Sequence, residues 1–179
     1  AEKRHGYIAC DAIYSMCGQE VYAYHDVLEA GRAGPGDTVA FFIHWSPRGQ
    51  PQASSPMVRL SGPDASHTLK GTFKTGKDAE RGFGFIECSE TKEFFGRDVY
   101  VNRELVGSLV PGQLLRFSAY LNRDGMPNVQ CMELCDPSWE PPAGNLSVSW
   151  QVNMEQHAQG KGKGDWSAWG PAWGGDWWG

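Results

Sequence analysis

The sequence predicts an all-β protein of two small five-stranded antiparallel barrels, the first lacking its N-terminal strand, followed by a tail without fixed structure. Three observations predict it. Apolar residues recur at the two-residue period of strands in short runs such as Gly84-Phe85-Ile86-Glu87-Cys88 and Val99-Tyr100-Val101, bounded by Gly, Pro, Asn or Asp. The pattern occurs twice at a nearly constant spacing. After Cys135 the composition turns to Pro, Gly, Gln and Trp, with five of the eight tryptophans in the last fourteen residues, and no periodic face remains from which to build a core.

The first copy, residues 1–62, opens on a glycine-aromatic strand at positions 4 to 10. Gly6-Tyr7-Ile8-Ala9-Cys10 matches Gly84-Phe85-Ile86-Glu87-Cys88, and Val21-Tyr22 matches Val99-Tyr100, both at an offset of 78 residues. Pro35-Gly36-Asp37 through Phe41 then matches Pro111-Gly112-Gln113 through Phe117, and Arg48-Gly49-Gln50-Pro51 resembles Asp124-Gly125-Met126-Pro127, both at an offset of 76. The first copy has therefore gained two residues between the matched blocks. The Glu29-Ala30-Gly31-Arg32-Ala33-Gly34 stretch reads as the loop that holds them, since loops tolerate insertion.

The second copy, residues 63–136, contains strands at Gly71 to Lys74, Gly84 to Cys88 and Asp98 to Val101. Two more, Leu114 to Leu121 and Val129 to Leu134, flank the turn residues Asn122-Arg123-Asp124-Gly125. No amphipathic helix is evident between them. Closing five short strands into a barrel removes most of their exposed edges. The first copy begins too late to include a counterpart of Lys70-Gly71-Thr72-Phe73-Lys74, and its initial residue is not Met, so the chain reads as a fragment or a processed product. Leu146-Ser147-Val148-Ser149-Trp150-Gln151-Val152 alternates as a strand does and is a candidate to replace the missing one, although it belongs to the tail, residues 137–179.

Charge and composition narrow the function. The net charge of −5 is not spread evenly: residues 1–62 carry 5 basic and 6 acidic side chains, residues 63–134 carry 9 and 10, and residues 135–179 carry 2 and 5. Both copies are thus nearly neutral, so a nucleic-acid ligand would be held by stacking more than by phosphate contacts, with a shallow salt dependence. No apolar run approaches the roughly 18 residues of a spanning helix, and Ala1-Glu2-Lys3-Arg4-His5 lacks the apolar stretch of a secretory signal. A cytoplasmic or nuclear protein with no membrane partner is expected. Cys10, Cys17, Cys88, Cys131 and Cys135, an odd number without zinc-finger spacing, read as free thiols in a reducing compartment. The histidines at 5, 25, 44, 67 and 157 show no metal spacing and no Ser or Cys sits in a nucleophile motif, so neither a cofactor nor an enzymatic activity is expected.

The residues that remain distinctive are aromatic. At a strand's period Phe83 and Phe85 share one face while Gly82, Gly84 and Ile86 share the other, and Tyr100 and Asn102 oppose Val99 and Val101. Aromatic residues in strands are mostly buried. Here Ile86, Val99 and Val101 already supply an inner face and glycines line a core poorly, so the rings are expected outside, where unpaired bases stack. Tyr7, Tyr22 and Tyr24 hold corresponding places in the first copy, with His5 beside them. Lys74, Lys77 and Arg81 lie close enough to reach phosphates, but the interleaved Asp78 and Glu80 offer ion pairs in competition.

This order of elements, Arg-Gly-Phe-Gly-Phe-Ile, then Asp-Val-Tyr-Val, then a Pro-Gly turn and an Asp-Gly hairpin, resembles the cold-shock domain over residues 68–134 and more loosely over residues 3–60. The resemblance implies barrels of the oligonucleotide-binding type whose two motif strands form a platform for single-stranded RNA or DNA, in a protein of RNA-chaperone or post-transcriptional regulator type. Carried over, Phe83, Phe85 and Tyr100 would stack, with Lys74 and Arg81 near the phosphates. The sequence departs from the family where Thr75 stands at about the place of a first-strand tryptophan, where Asn102 replaces a common histidine, and where His5 and Arg4 replace a phenylalanine and a glycine. The RNA-recognition motif uses a similar octamer, but there the second aromatic motif precedes it, whereas Asp98-Val99-Tyr100 follows it here. A second reading concerns the tail, whose Trp169-Gly170, Trp173-Gly174 and Trp178-Gly179 dipeptides resemble the hooks by which disordered segments bind Argonaute-type proteins, which implies a scaffold with a protein partner.

Overall fold

A computed structural model describes residues 5–144. The first copy runs β1 (His5–Ile8), α1 (Asp11–Cys17), β2 (Val21–Tyr24), α2 (His25–Ala30), β3 (Thr38–Trp45) and β4 (Pro51–Ser61). The second runs β5 (Leu69–Thr75), β6 (Gly84–Glu87), α3 (Ser89–Phe95), β7 (Val99–Val101), α4 (Arg103–Val106), β8 (Leu114–Leu121) and β9 (Pro127–Leu134). The chain is mostly β. β5 to β9 form a closed barrel in the order β5-β6-β7-β9-β8, closed by pairing of β5 with β8, and the first copy forms a four-stranded sheet in the order β1-β2-β4-β3.

The repeat is present in the register, residue for residue. Gly6↔Ala23, Tyr7↔Tyr22 and Ile8↔Val21 in the first copy correspond to Gly84↔Val101, Phe85↔Tyr100 and Ile86↔Val99 in the second. The parallel pairing Tyr22↔Gln52 corresponds likewise to Tyr100↔Asn128. Even the helix stops repeat: α1 ends on Gly18 at φ 69° and α3 on Gly96 at φ 70°, a left-handed conformation that favours glycine.

Three expectations need correction. Among the described residues four short α-helices are present where none was expected. α1 and α3 have seven residues each and bury one apiece, Ile13 and Thr91, which is too little for a 3.6-residue apolar stripe to stand out. The extra length of the first copy lies in a helix, since Glu29 and Ala30 extend α2 to six residues against four in α4. Finally, residues 137–144 have defined neighbours. Lys70 donates to the carbonyls of Pro137 and Trp139, each at 2.7 Å, and the Arg116 guanidinium lies 5.9 Å from the centre of the Trp139 ring. The candidate replacement strand at 146–152 and the Trp-Gly dipeptides lie outside the described residues.

Of the described residues, 5–35, 41–57 and Gly144 make up one compact unit, and 36–40 with 58–143 make up another. The core of the barrel unit is Leu69, Phe73, Ile86, Val99, Val101, Leu115 and Phe117, all fully buried, with Ala40, Val58 and Leu60 packed beside them. Fully burying a side chain of this kind contributes about 1.5–3 kcal/mol. Gly84 faces inward after all, for a steric reason: a Cβ there would meet the Phe73 ring at 2.4 Å. The glycine lines the core because Phe73 fills the space in front of it. In the same unit Arg59 and Asp37, each 6% exposed, pair at 3.5 Å, and Arg59 also donates to the Pro142 carbonyl.

Candidate nucleic-acid interface

Because Gly84 and Ile86 point inward, Phe85 points outward from β6, with Phe83 just before the strand beside it, and the antiparallel register sets Tyr100 directly beside Phe85. All three rings are half-buried on the outer face. Phe83 and Phe85 meet edge to face at 5.7 Å between centroids, Phe85 and Tyr100 at 6.0 Å, and Phe83 and Tyr100 lie 5.7 Å apart with planes inclined by 32°. The cluster is held from below as well as from the sides. Gly76 lets Phe83 settle against the backbone, since a Cβ at that position would come within 2.7 Å of its ring. The result is a contiguous patch of three rings on two neighbouring strands, suited chemically to the flat faces of nucleobases.

Several of the cations around this patch are engaged in ion pairs. Lys74 lies beside Phe85 on β5, but its Nζ is 2.6 Å from Glu87, which also pairs with Lys92 at 3.6 Å, and Lys92 reaches Asp98 at 3.8 Å. The hydrogen bond from Lys74 holds the Glu87 carboxyl below its ordinary value and raises the Lys74 ammonium in turn. Two ammonium groups and two carboxylates thus alternate on this flank, with no net charge at neutral pH. Arg81 pairs with Asp78 at 3.6 Å, as the interleaved acids suggested, and both are exposed. Among the described residues no ion pair engages Lys77 or Arg103. Arg103 was missed from sequence. Its stem crosses Gly82, whose Cβ position lies 3.2 Å from Arg103 Cγ, which brings the arginine next to the Phe83 strand.

Asn102 has a structural task. Its Oδ1 accepts from the Leu105 N–H at 3.0 Å and caps α4, sharing that N–H with the Asn102 carbonyl at 3.1 Å. That use of the side chain positions Arg103, the first residue of the helix. A sequence signal existed, since Asn followed by Arg-Glu-Leu is a helix start, but a four-residue helix has no periodicity to support it.

In the first copy His5, Tyr7, Tyr22 and Tyr24 also cluster, and their packing is closer. His5 stacks on Tyr22 at 5.0 Å with planes 23° apart, while Tyr7 and Tyr24 meet Tyr22 edge to face at 5.6 and 4.9 Å. Burial, then the neighbouring Tyr22 and Glu20, push the Tyr7 hydroxyl up to about 12. Burial and Tyr24 raise Tyr22 as well. One face of Tyr22 is therefore occupied by His5, and Tyr24, 42% exposed, is the most accessible ring of the set. No protein-family model, no curated protein and no solved structure matches the chain. The site must be judged on its own geometry.

Proposed function

We propose that the protein binds single-stranded nucleic acid, RNA above all, by stacking unpaired bases on Phe85, Tyr100 and Phe83. The observation that carries the reading is the placement of three rings on the outer face of two adjacent strands of a closed barrel, where core packing does not require them. The strand order supports a barrel of the oligonucleotide-binding type, because β5 pairs with both β6 and β8 and β7 pairs with β9. A five-stranded barrel of that type is what the cold-shock resemblance implies. Stacking is tolerant of sequence and disfavours base pairing, so the protein acts in the manner of an RNA chaperone and no chemical step is involved.

The test is binding of a labelled pyrimidine-rich RNA to the full chain and to Phe85→Ala. Loss of one stacking ring should cost about 1–3 kcal/mol, or roughly 5- to 150-fold in Kd. A duplex of the same sequence should bind far more weakly than the single strand, and deletion of residues 160–179 should leave the affinity for RNA largely intact. Equal affinity of wild type and Phe85→Ala would refute the platform. Loss of RNA binding on deleting the tail alone would transfer the function to the tail.

A further inference from the structure

The outer face of the barrel carries one more row of partners than its two motif strands. Lys74↔Phe85, Phe85↔Tyr100, Tyr100↔Asn128 and Asn128↔Tyr120 are successive register pairs, so these five residues form one line across all five strands. Strands are spaced about 4.8 Å apart, which puts Tyr120 on the order of 10 Å beyond Tyr100, with Asn128 between them. Tyr120 is 43% exposed. Among the described residues its ring contacts no other ring and its hydroxyl makes no hydrogen bond, and the Asn128 carboxamide is equally without a side-chain partner.

The first copy shows what this row looks like when it is closed. His44 and Gln52 stand at the positions of Tyr120 and Asn128, and there the His44 Nε2 is hydrogen-bonded to Gln52 Oε1 at 2.9 Å. Gln52 Nε2 donates to Gln50 at 3.2 Å, and His44 Nδ1 is hydrogen-bonded to the Ser54 hydroxyl. Both His44 and Gln52 are thus engaged with neighbouring side chains of the same sheet. In the barrel the same row offers a bare ring and a carboxamide with both donor and acceptor available.

We infer that the nucleic-acid platform continues past Tyr100 onto β9 and β8, with Tyr120 as a fourth stacking ring and Asn128 as a hydrogen-bonding contact to the edge of the base between them. This rests on the stacking function proposed above and extends it by a distinct subsite. The subsite lies too far along the row for a ligand that covers only the rings of β6 and β7.

The experiment compares the full chain with Tyr120→Ala, Tyr120→Phe, Asn128→Ala and Phe85→Ala, using labelled RNA of about three nucleotides, enough for the motif-strand rings, and of about eight. Tyr120→Ala should weaken the longer RNA at least about 5-fold and leave the shorter one unchanged. Tyr120→Phe should bind as wild type does, and Asn128→Ala should narrow the affinity differences among oligonucleotides of different base composition. Unchanged binding of the longer RNA by Tyr120→Ala, alongside loss in Phe85→Ala, overturns the extension and leaves the platform standing. Equal weakening of both lengths by Tyr120→Ala also overturns it, since that marks a general disturbance of the barrel. If Phe85→Ala is silent as well, the stacking function fails with it.

Discussion

Substituting Gly84 by Ala tests the packing on which the ring patch depends. A Cβ at this position would lie 2.4 Å from Phe73 Cε2, 2.7 Å from its Cζ and 3.0 Å from the Lys74 carbonyl oxygen. Phe73 is fully buried and the carbonyl belongs to the β5–β6 ladder, so neither neighbour can swing aside into solvent. Overpacking of this kind costs about 1–3 kcal/mol, and contact with both a ring and a backbone atom places Gly84→Ala near the upper end. Trimming the obstructing ring should return part of that loss. Phe73→Leu alone leaves a partly filled space and destabilises, but combined with Gly84→Ala it removes the clash, so the double variant should be more stable than the sum of the singles by about 1 kcal/mol. Hydrogen exchange at the Ile86, Val99 and Val101 amides reports this barrel without interference from the rest of the chain. RNA affinity should fall with Gly84→Ala and recover in the double variant, as β6 returns to register. Additive effects of the two substitutions, or a neutral Gly84→Ala, would refute the claim that Phe73 is what compels glycine at position 84.

Two further outcomes follow from the charges around the rings. Lys74→Ala should change RNA affinity little, because Glu87 already holds that ammonium. Arg103→Ala, by contrast, should weaken binding and reduce the slope of log K against log salt by about 0.7, the amount expected when a protein neutralises one phosphate fewer on a single strand; a salt titration of both variants decides. In the first copy, the unfolded chain releases the Tyr7 proton near 10 and the folded chain only near 12, so the folded state holds more protons between those values. Stability should therefore be intact below pH 10 and decline as pH rises through that window, and Tyr7→Phe should flatten the decline, as measured by urea midpoints on either side of pH 10.

What the sequence reveals of this molecule follows the distance over which each feature is encoded. The motif strands are legible because Phe85-Ile86 and Val99-Tyr100-Val101 alternate locally, and the repeat is legible because Gly6-Tyr7-Ile8 and Gly84-Phe85-Ile86 match directly. The rings could be placed outside because Ile86, Val99 and Val101 claimed the inside. Charge pairing was not legible in the same way. Lys74 finds Glu87 across the β5–β6 ladder, a neighbour set by register, while the nearby Asp78 pairs with Arg81. Tyr120 was hidden by a bulge: Ser118 pairs with Cys131 and Ala119 with Val129, so Gln130 is left over and strict alternation breaks in the hairpin that carries the ring.

Burial on the inner side and packing on the outer side set the two copies apart in energetic terms. In the barrel, β5 covers the inner side of β6 with Phe73, and Ile86 is 0% exposed. Ile8, its counterpart, is half-buried, and among the described residues β1 pairs with β2 alone. The outer rings differ as well: His5 stacks on Tyr22 more closely and more nearly parallel than Phe83 lies against Tyr100. Aromatic pairs of this kind are worth about 0.5–1.5 kcal/mol beyond their buried area. A base that entered between His5 and Tyr22 would forfeit that pair, whereas one that settles on Phe85 and Tyr100 displaces no parallel stack. Identical register thus yields two ring clusters of different packing, one built around a nearly parallel stack and one without it.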